Sequence, residues 1–175
     1  MSVRHAIVVM GTAGAGKSRI GAALAAALES PFVEGDAFHS PENVARMAAG
    51  IPLTDDNRRD WLIALAERLG AARARNESVV LTCSALKRRY RDTLRHGDDA
   101  LRLIMLHGDT ALLRERLASR TGHYMPASLL DSQLAALEVP SPDEDAWTFE
   151  CRESPDAIVH AILKRLRSTS AGTAE

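Results

Sequence analysis

Short apolar runs alternate with amphipathic helical patterns along this chain, and that alternation predicts a parallel sheet covered by helices. The strand candidates are Ala6–Met10, Pro31–Glu34, Ser78–Cys83, Leu101–Leu106 and Trp147–Cys151. The first is uniformly apolar and rich in branched side chains, as a strand buried on both faces must be. Between the runs, Ile20, Ala23, Leu24, Ala27 and Leu28 recur at helical spacing. So do Trp61, Leu62, Leu65 and Leu69, then Leu86, Tyr90 and Leu94, then Leu112, Leu113 and Leu117 behind an Asp109 N-cap. A last helix starts with Ser154 as N-cap and Pro155 at its first position, and presents Ile158, Val159, Ile162 and Leu166 on one face. The small polar residues Ser168–Glu175 predict a disordered tail, leaving a single domain over residues 1–167.

Two stretches break the rhythm. Phe38–Asn57 is polar and punctuated by Pro41 and Pro52, and Ser119–Pro142 carries Arg120-Thr121-Gly122-His123 before a Pro-rich turn. Insertions of this kind beyond the strands' carboxyl ends are where open α/β sheets bind ligands. They predict a substrate-binding segment at about 38–60 and a lid at about 119–142.

The first strand runs straight into Gly11, Thr12, Ala13, Gly14, Ala15, Gly16, Lys17 and Ser18, a complete G-x-x-x-x-G-K-S loop. Such a loop turns successive backbone N–H groups inward as a nest for phosphate oxygens. Lys17 reaches the β- and γ-phosphates, Ser18 can ligate Mg²⁺, and the helix that follows points its positive end at the same anion. A nucleoside triphosphate is therefore the expected ligand.

Bulk properties narrow the partners. Twenty-two basic and 23 acidic residues leave a net charge of −1, so no electrostatic footprint for nucleic acid or an anionic membrane exists. Cys83 and Cys151 have no metal-ligand spacing, which predicts a reduced, cytoplasmic protein. No apolar stretch approaches the ~20 residues of a membrane span. Residues 1–5 leave no room for a signal peptide before the first strand.

The loop alone does not separate a kinase from a switch or a motor. The guanine-reading N/T-K-x-D of switch GTPases is absent, and Val79-Val80-Leu81-Thr82-Cys83-Ser84 ends in no carboxylate for a metal. Strand-end carboxylates lie instead at Glu34 and Asp36. Phosphoryl transfer needs a group to accept the attacking hydroxyl's proton, and Asp36 is the candidate; Glu34 would reach Mg²⁺ through water.

Several further pieces carry a resemblance. They are Gly35-Asp36-x-x-His39, Pro52-Leu53-x-Asp55-Asp56-x-Arg58 with Trp61-Leu62, and Cys83-Ser84-Ala85-Leu86-Lys87-x-x-Tyr90-Arg91. Arg116-Leu117-x-x-Arg120-x-Gly122-His123 and Ser132-Gln133-x-x-x-Leu137-Glu138-x-Pro140 complete the set. With these motifs in this order, the chain resembles the gluconokinase family, relatives of shikimate and adenylate kinases. The resemblance implies a three-layer α/β P-loop kinase fold with a five-stranded parallel sheet. It implies ATP-dependent phosphorylation of D-gluconate to 6-phospho-D-gluconate, in gluconate catabolism feeding the pentose phosphate or Entner–Doudoroff route, and a homodimer. Glu34 and Asn57 stand where aspartates are common in that family.

Gluconate needs a cation for its carboxylate and hydrogen-bonding groups for its hydroxyls. Arg58, Lys87 and Arg91 are the basic residues of the substrate-like motifs, and spacing leaves open which of them meets the acid. Asp36, His39 and His123 are the other substrate candidates. In the related kinases lid arginines fold over the phosphates, which implicates Arg120, as a catalytic residue alongside Lys17 and Asp36, and Arg116. Arg88 and Arg89 read as a solvated face, Trp61 as core, and Cys83 as a small buried residue. A shikimate-type kinase of another hydroxy acid and a non-catalytic nucleotide switch are the rival readings.

Overall fold

The structure, a computed structural model, describes residues 3–120, 126 and 128–171. Five parallel strands, β1 (Ala6–Met10), β2 (Phe32–Glu34), β3 (Val79–Thr82), β4 (Arg102–His107) and β5 (Trp147–Glu150), form one sheet in the order β2-β3-β1-β4-β5. Each falls within a residue or so of the apolar run that predicts it. All five residues of β1 are buried, as its central place requires.

Side chains alternate across a strand, so β1 feeds two cores. Ile7 and Val9 face one layer, where they meet Ile20 and Leu24 of α1 (Lys17–Ala27), Leu113 and Leu117 of α5 (Thr110–Ala118), and Ile158 and Ile162 of α7 (Pro155–Ala171). Ala6, Val8 and Met10 face the other, against Trp61, Leu65 and Leu69 of α3 (Asp55–Ala74) and Tyr90 and Leu94 of α4 (Arg88–Gly97). The result is the expected three-layer α/β fold. Connections leave β1 toward β2 and β4 toward β5, in opposite directions, which opens a crevice at the carboxyl end of β1.

The polar stretch after β2 is not a loop throughout. It holds α2 (Pro41–Ala48), whose N-cap Ser40 accepts from the Asn43 N–H at 3.1 Å. α3 opens with a capping box: the Asn57 N–H donates to Thr54 Oγ1, and the Thr54 N–H donates to Asn57 Oδ1. Asn43 Nδ2 then donates to the Asn57 carbonyl at 2.7 Å, tying α2 to α3. Asn57 thus does helix-start work in its acidic surroundings.

Two expectations need correction here. The C-terminal helix α7 continues through Ala171, so residues 168–171 are helical; residues 172–175 lie outside the described residues. Arg91 is a fold residue and is fully buried. Its Nε and Nη2 donate to the two Glu144 oxygens at 2.6 and 2.8 Å, and its Nη1 donates to the Ala85 carbonyl at 2.9 Å. A guanidinium so committed presents nothing to a ligand. It pins the chain before β5 to α4 and the β3–α4 connection.

Breaking that pair from one side strands a buried cation. Glu144→Ala should therefore cost about 3–5 kcal/mol, read as a loss of urea-unfolding free energy. The Arg91 guanidinium also holds the Glu144 carboxyl down at about 2. A carboxyl depressed on folding stabilises above its unfolded value and loses that contribution as pH falls toward the folded one. Wild-type stability should accordingly drop between ordinary carboxylate pH and about 2, and Glu144→Ala should show a shallower drop.

Candidate active site

The phosphate loop begins where β1 ends. The Gly11 N–H donates to the Ser84 carbonyl at 3.4 Å, joining the loop to the segment after β3. Gly16 caps α1 with φ of 93°, a left-handed conformation that suits a residue without a side chain. Lys17 Nζ donates to the Thr12 carbonyl at 3.0 Å, so the lysine folds back over its own loop. Burial pushes its ammonium below the usual range, opposed first by the Asp36 charge. From α6 (Ser128–Ala136), Gln133 Oε1 accepts the Ala13 N–H at 2.7 Å.

The facing wall depends on Gly35. A Cβ there would lie 1.9 Å from the Thr82 carbonyl oxygen, so only glycine lets the chain after β2 press against the end of β3. Thr82 Oγ1 accepts the Gly35 N–H at 3.1 Å and donates to Glu34 Oε1 at 2.5 Å. Trp61 Nε1 donates to the Gly35 carbonyl at 2.8 Å. These bonds set a 3₁₀ turn, Gly35–Phe38, that brings Asp36 and His39 to the crevice. His39 stacks on Trp61 with ring centroids 4.0 Å apart. Trp61 is core, as expected, and also a platform.

A narrow cleft lies between loop and wall. Lys17, Ser18, Asp36, His39, Arg58 and Arg120 all line it, together with Gly14 and Gly16 of the loop. Asp36 is the carboxylate these groups share, because its charge raises the proton affinity of Lys17, His39 and Arg58 alike. Arg58, at 9% exposure, has its guanidinium carbon 5.7 Å from the Tyr90 ring centre. It makes no ion pair among the described residues, and burial pushes its pKa down. A guanidinium stays charged, so this is a desolvated cation awaiting an anion. Burial likewise lowers His39 to about 4, and its Nδ1 is buried without a hydrogen-bond partner among the described residues. An orphaned polar atom lining a cleft is a natural site for a ligand hydroxyl.

A second hollow adjoins the first along the loop. Gly14, Ala15, Gly16, Arg116 and Arg120 line it, with Cys151, Pro155 and Ile158 opposite. Arg120 borders both hollows. Arg116 is steadied there by donating to the Cys151 carbonyl at 2.6 Å.

The remaining candidates separate. Lys87 lies outside the main cleft, in an adjoining hollow shared with Arg58, and its Nζ sits 3.1 Å from Asp55 Oδ1. Glu34 flanks the site through Thr82 rather than lining it. Arg91 belongs to the fold, and His123 lies outside the described residues. Arg88 and Arg89 are exposed, and burial lifts the Cys83 thiol to about 12, which leaves it inert. Gln133 and Ser84 are site residues that carry no role in the sequence reading. Both sit inside motifs quoted above, which was the available signal.

The AAA domain family profile matches residues 7–140. The gluconokinase of Gluconobacter oxydans (strain 621H) is 42% identical over 162 residues, covering 93% of this chain and 91% of that protein. The crystal structure of a gluconokinase from Sinorhizobium meliloti 1021 is similar with a TM-score of 0.87 and 44% identity, over 100% of both chains. A shikimate kinase from Bacteroides thetaiotaomicron has a TM-score of 0.68 at 18% identity, covering 93% of this chain and 98% of that one, and shares the fold.

One consequence is measurable without any substrate. The His39 imidazole should titrate at about 4 and stay neutral across about pH 6 to 8, followed by its ring resonances in NMR. Trp61→Ala, which removes the stacked face and admits water, should move that titration up toward the ordinary histidine value.

Proposed function

The chain belongs to the gluconokinase family, and we propose that it moves the γ-phosphoryl group of ATP to the terminal hydroxyl of D-gluconate, releasing 6-phospho-D-gluconate and ADP. The carrying observation is the buried Arg58, which has no ion-pair partner among the described residues, in a cleft that also holds Asp36 and opens onto the phosphate loop. A sugar acid has one carboxylate for the arginine and hydroxyls for His39 and Asp36.

In this reading the loop amides and Lys17 hold the β- and γ-phosphates. Arg58 takes the gluconate carboxylate in two parallel bonds, which turns the far end of the sugar acid toward Asp36. Asp36 accepts the proton of the attacking hydroxyl as the bond to phosphorus forms. Arg120, bordering both hollows, neutralises charge that develops on the transferring group, and Arg116 supports the nucleotide side. The start of the 119–142 segment, with Arg120 and His123, would close over the phosphates and exclude water, limiting wasteful hydrolysis of ATP, while α6 stays packed in the core.

The donor set suits Mg²⁺. Among the described residues no group of three acidic, histidine or cysteine side chains could cage a metal, and Mg²⁺ ordinarily uses one or two protein oxygens beside phosphates and waters. Ser18 would hold it directly and Glu34 through water, and the ion supplies charge neutralisation on the phosphates. We place the enzyme in the cytoplasm as a homodimer on the family resemblance. The free cysteines Cys83 and Cys151 suit a reducing compartment, and no described helix is long and apolar enough to cross a membrane.

An ADP-release assay over gluconate, shikimate, glycerate, 2-keto sugar acids and nucleoside monophosphates should show turnover with gluconate. Preference for shikimate or a nucleotide would sink the assignment. Lys17→Ala should cripple turnover, and Asp36→Asn should lower kcat by orders of magnitude while ATP still binds. Arg58→Ala should raise the gluconate KM about 10- to 100-fold, the loss of a charge-assisted contact. An unchanged KM there, with a raised KM in Lys87→Ala, would hand the carboxylate to Lys87.

A further inference from the structure

The bond from the Ala13 N–H to Gln133 Oε1 links residues 120 apart in sequence and is buried. Ala13 is the third residue of the phosphate loop, inside the nest of amides, and Gln133 belongs to α6, a helix that contributes Leu129, Ser132 and Gln133 to the cleft. An amide oxygen aimed at a phosphate-loop N–H is chemically odd, because it spends on the protein a donor that the nest could offer to phosphate. Its value is mechanical. It fixes the loop's third residue to a helix that has a second attachment on the acceptor side.

That second attachment is apolar. Leu129, one turn before Gln133, packs with Met47 of α2 and Leu53 in a small cluster separate from the two main cores. Met47, Leu53 and Pro52 line the same cleft as His39 and Arg58. α6 therefore meets the phosphate loop through the Gln133 hydrogen bond, with Leu130 in the same core as Ala13 and Ala15, and meets the acceptor wall through Leu129. Any ligand that settles the acceptor wall also settles the loop.

We propose that Gln133 is a positioning residue that couples acceptor binding to nucleotide binding by carrying order from the α2–Leu53 wall through α6 to the loop at Ala13. The proposal rests on the gluconokinase reading for the identity of the two ligands. Coupling of this kind is reciprocal, so each ligand tightens the other by one factor.

Calorimetry on the full chain tests it. In wild type, a non-hydrolysable ATP analogue should tighten gluconate binding by about 5-fold or more, within the usual range of coupling between sites. Gln133→Leu keeps the side-chain volume and loses the acceptor. It should bring that factor, the ratio of gluconate affinities with and without nucleotide, close to 1. Gln133→Glu keeps an acceptor oxygen at the same reach, and should restore most of the coupling while weakening the nucleotide through added negative charge. A factor near 1 in wild type, or one unchanged in Gln133→Leu, overturns the inference and leaves the functional reading intact. Failure of gluconate to bind wild type at all overturns both.

A readout on unaltered protein covers the case in which the variants fail to fold. Gluconate alone, without nucleotide, should slow hydrogen exchange at the Ala13 amide several-fold. No change at Ala13, with slowing confined to the wall around His39 and Arg58, overturns the coupling.

Discussion

Lys17, Arg58 and Arg120 converge on a cleft in which Asp36 is the shared carboxylate, and the architecture around them exists to hold that excess of positive charge in place. Cations gathered in a half-dry space repel one another and lose hydration. Lys17 and Arg58 both bind their protons less tightly because burial strips their hydration, and Arg120 adds repulsion at Lys17. The site is thus electrostatically incomplete until anions enter, and a triphosphate with a sugar acid supplies the missing charge. Binding is driven by a deficit that the fold maintains at some cost to its own stability.

Holding such a deficit requires a stiff frame. The two-faced burial of β1 fixes the origin of the phosphate loop between two cores. Gly35, pressed on the Thr82 carbonyl and held by Trp61, fixes the opposite wall. The chain between α6 and β5 closes the frame: Glu138 accepts the Arg88 N–H at the start of α4, and Glu144 takes Arg91. Both contacts anchor on the segment that follows β3. The motifs around Cys83–Arg91 and Ser132–Pro140 therefore meet in space, and much of what they encode is this junction rather than ligand contact.

That distinction explains what the sequence could and could not tell. Strands, helix caps and the phosphate loop were legible because each is written in local pattern, within one turn or one alternation. The cleft residues Asp36, His39 and Arg58 were legible because strand-end placement and helix starts restrict where they go. Arg91 was misassigned because nothing in its neighbourhood reveals Glu144, fifty-three residues on, which consumes its guanidinium. The role of Gln133 was hidden for the same reason, as a lone amide acquires meaning only from a partner 120 residues away. Long-range pairing of polar side chains is the information that periodicity lacks.

The two arginines of the substrate-like motifs show how one residue type is put to opposite uses. Arg91 is buried with a carboxylate and two carbonyls, so its charge is fully answered and it contributes rigidity. Arg58 is buried to a similar degree, yet its companions are the Tyr90 ring and the distant charge of Asp36. An aromatic face offsets only part of a guanidinium's lost hydration, on the order of 2 kcal/mol in a desolvated setting. The remainder is available to whichever anion can present two oxygens in a plane. A carboxylate does so without carrying the extra charge and bulk of a phosphate, which would crowd the γ-phosphoryl group that Lys17 is proposed to hold. In the proposed reading the acceptor chamber would select a carboxylic acid that reaches Asp36 with a hydroxyl, and the unanswered charge of Arg58, more than any shape of the wall, would make the selection.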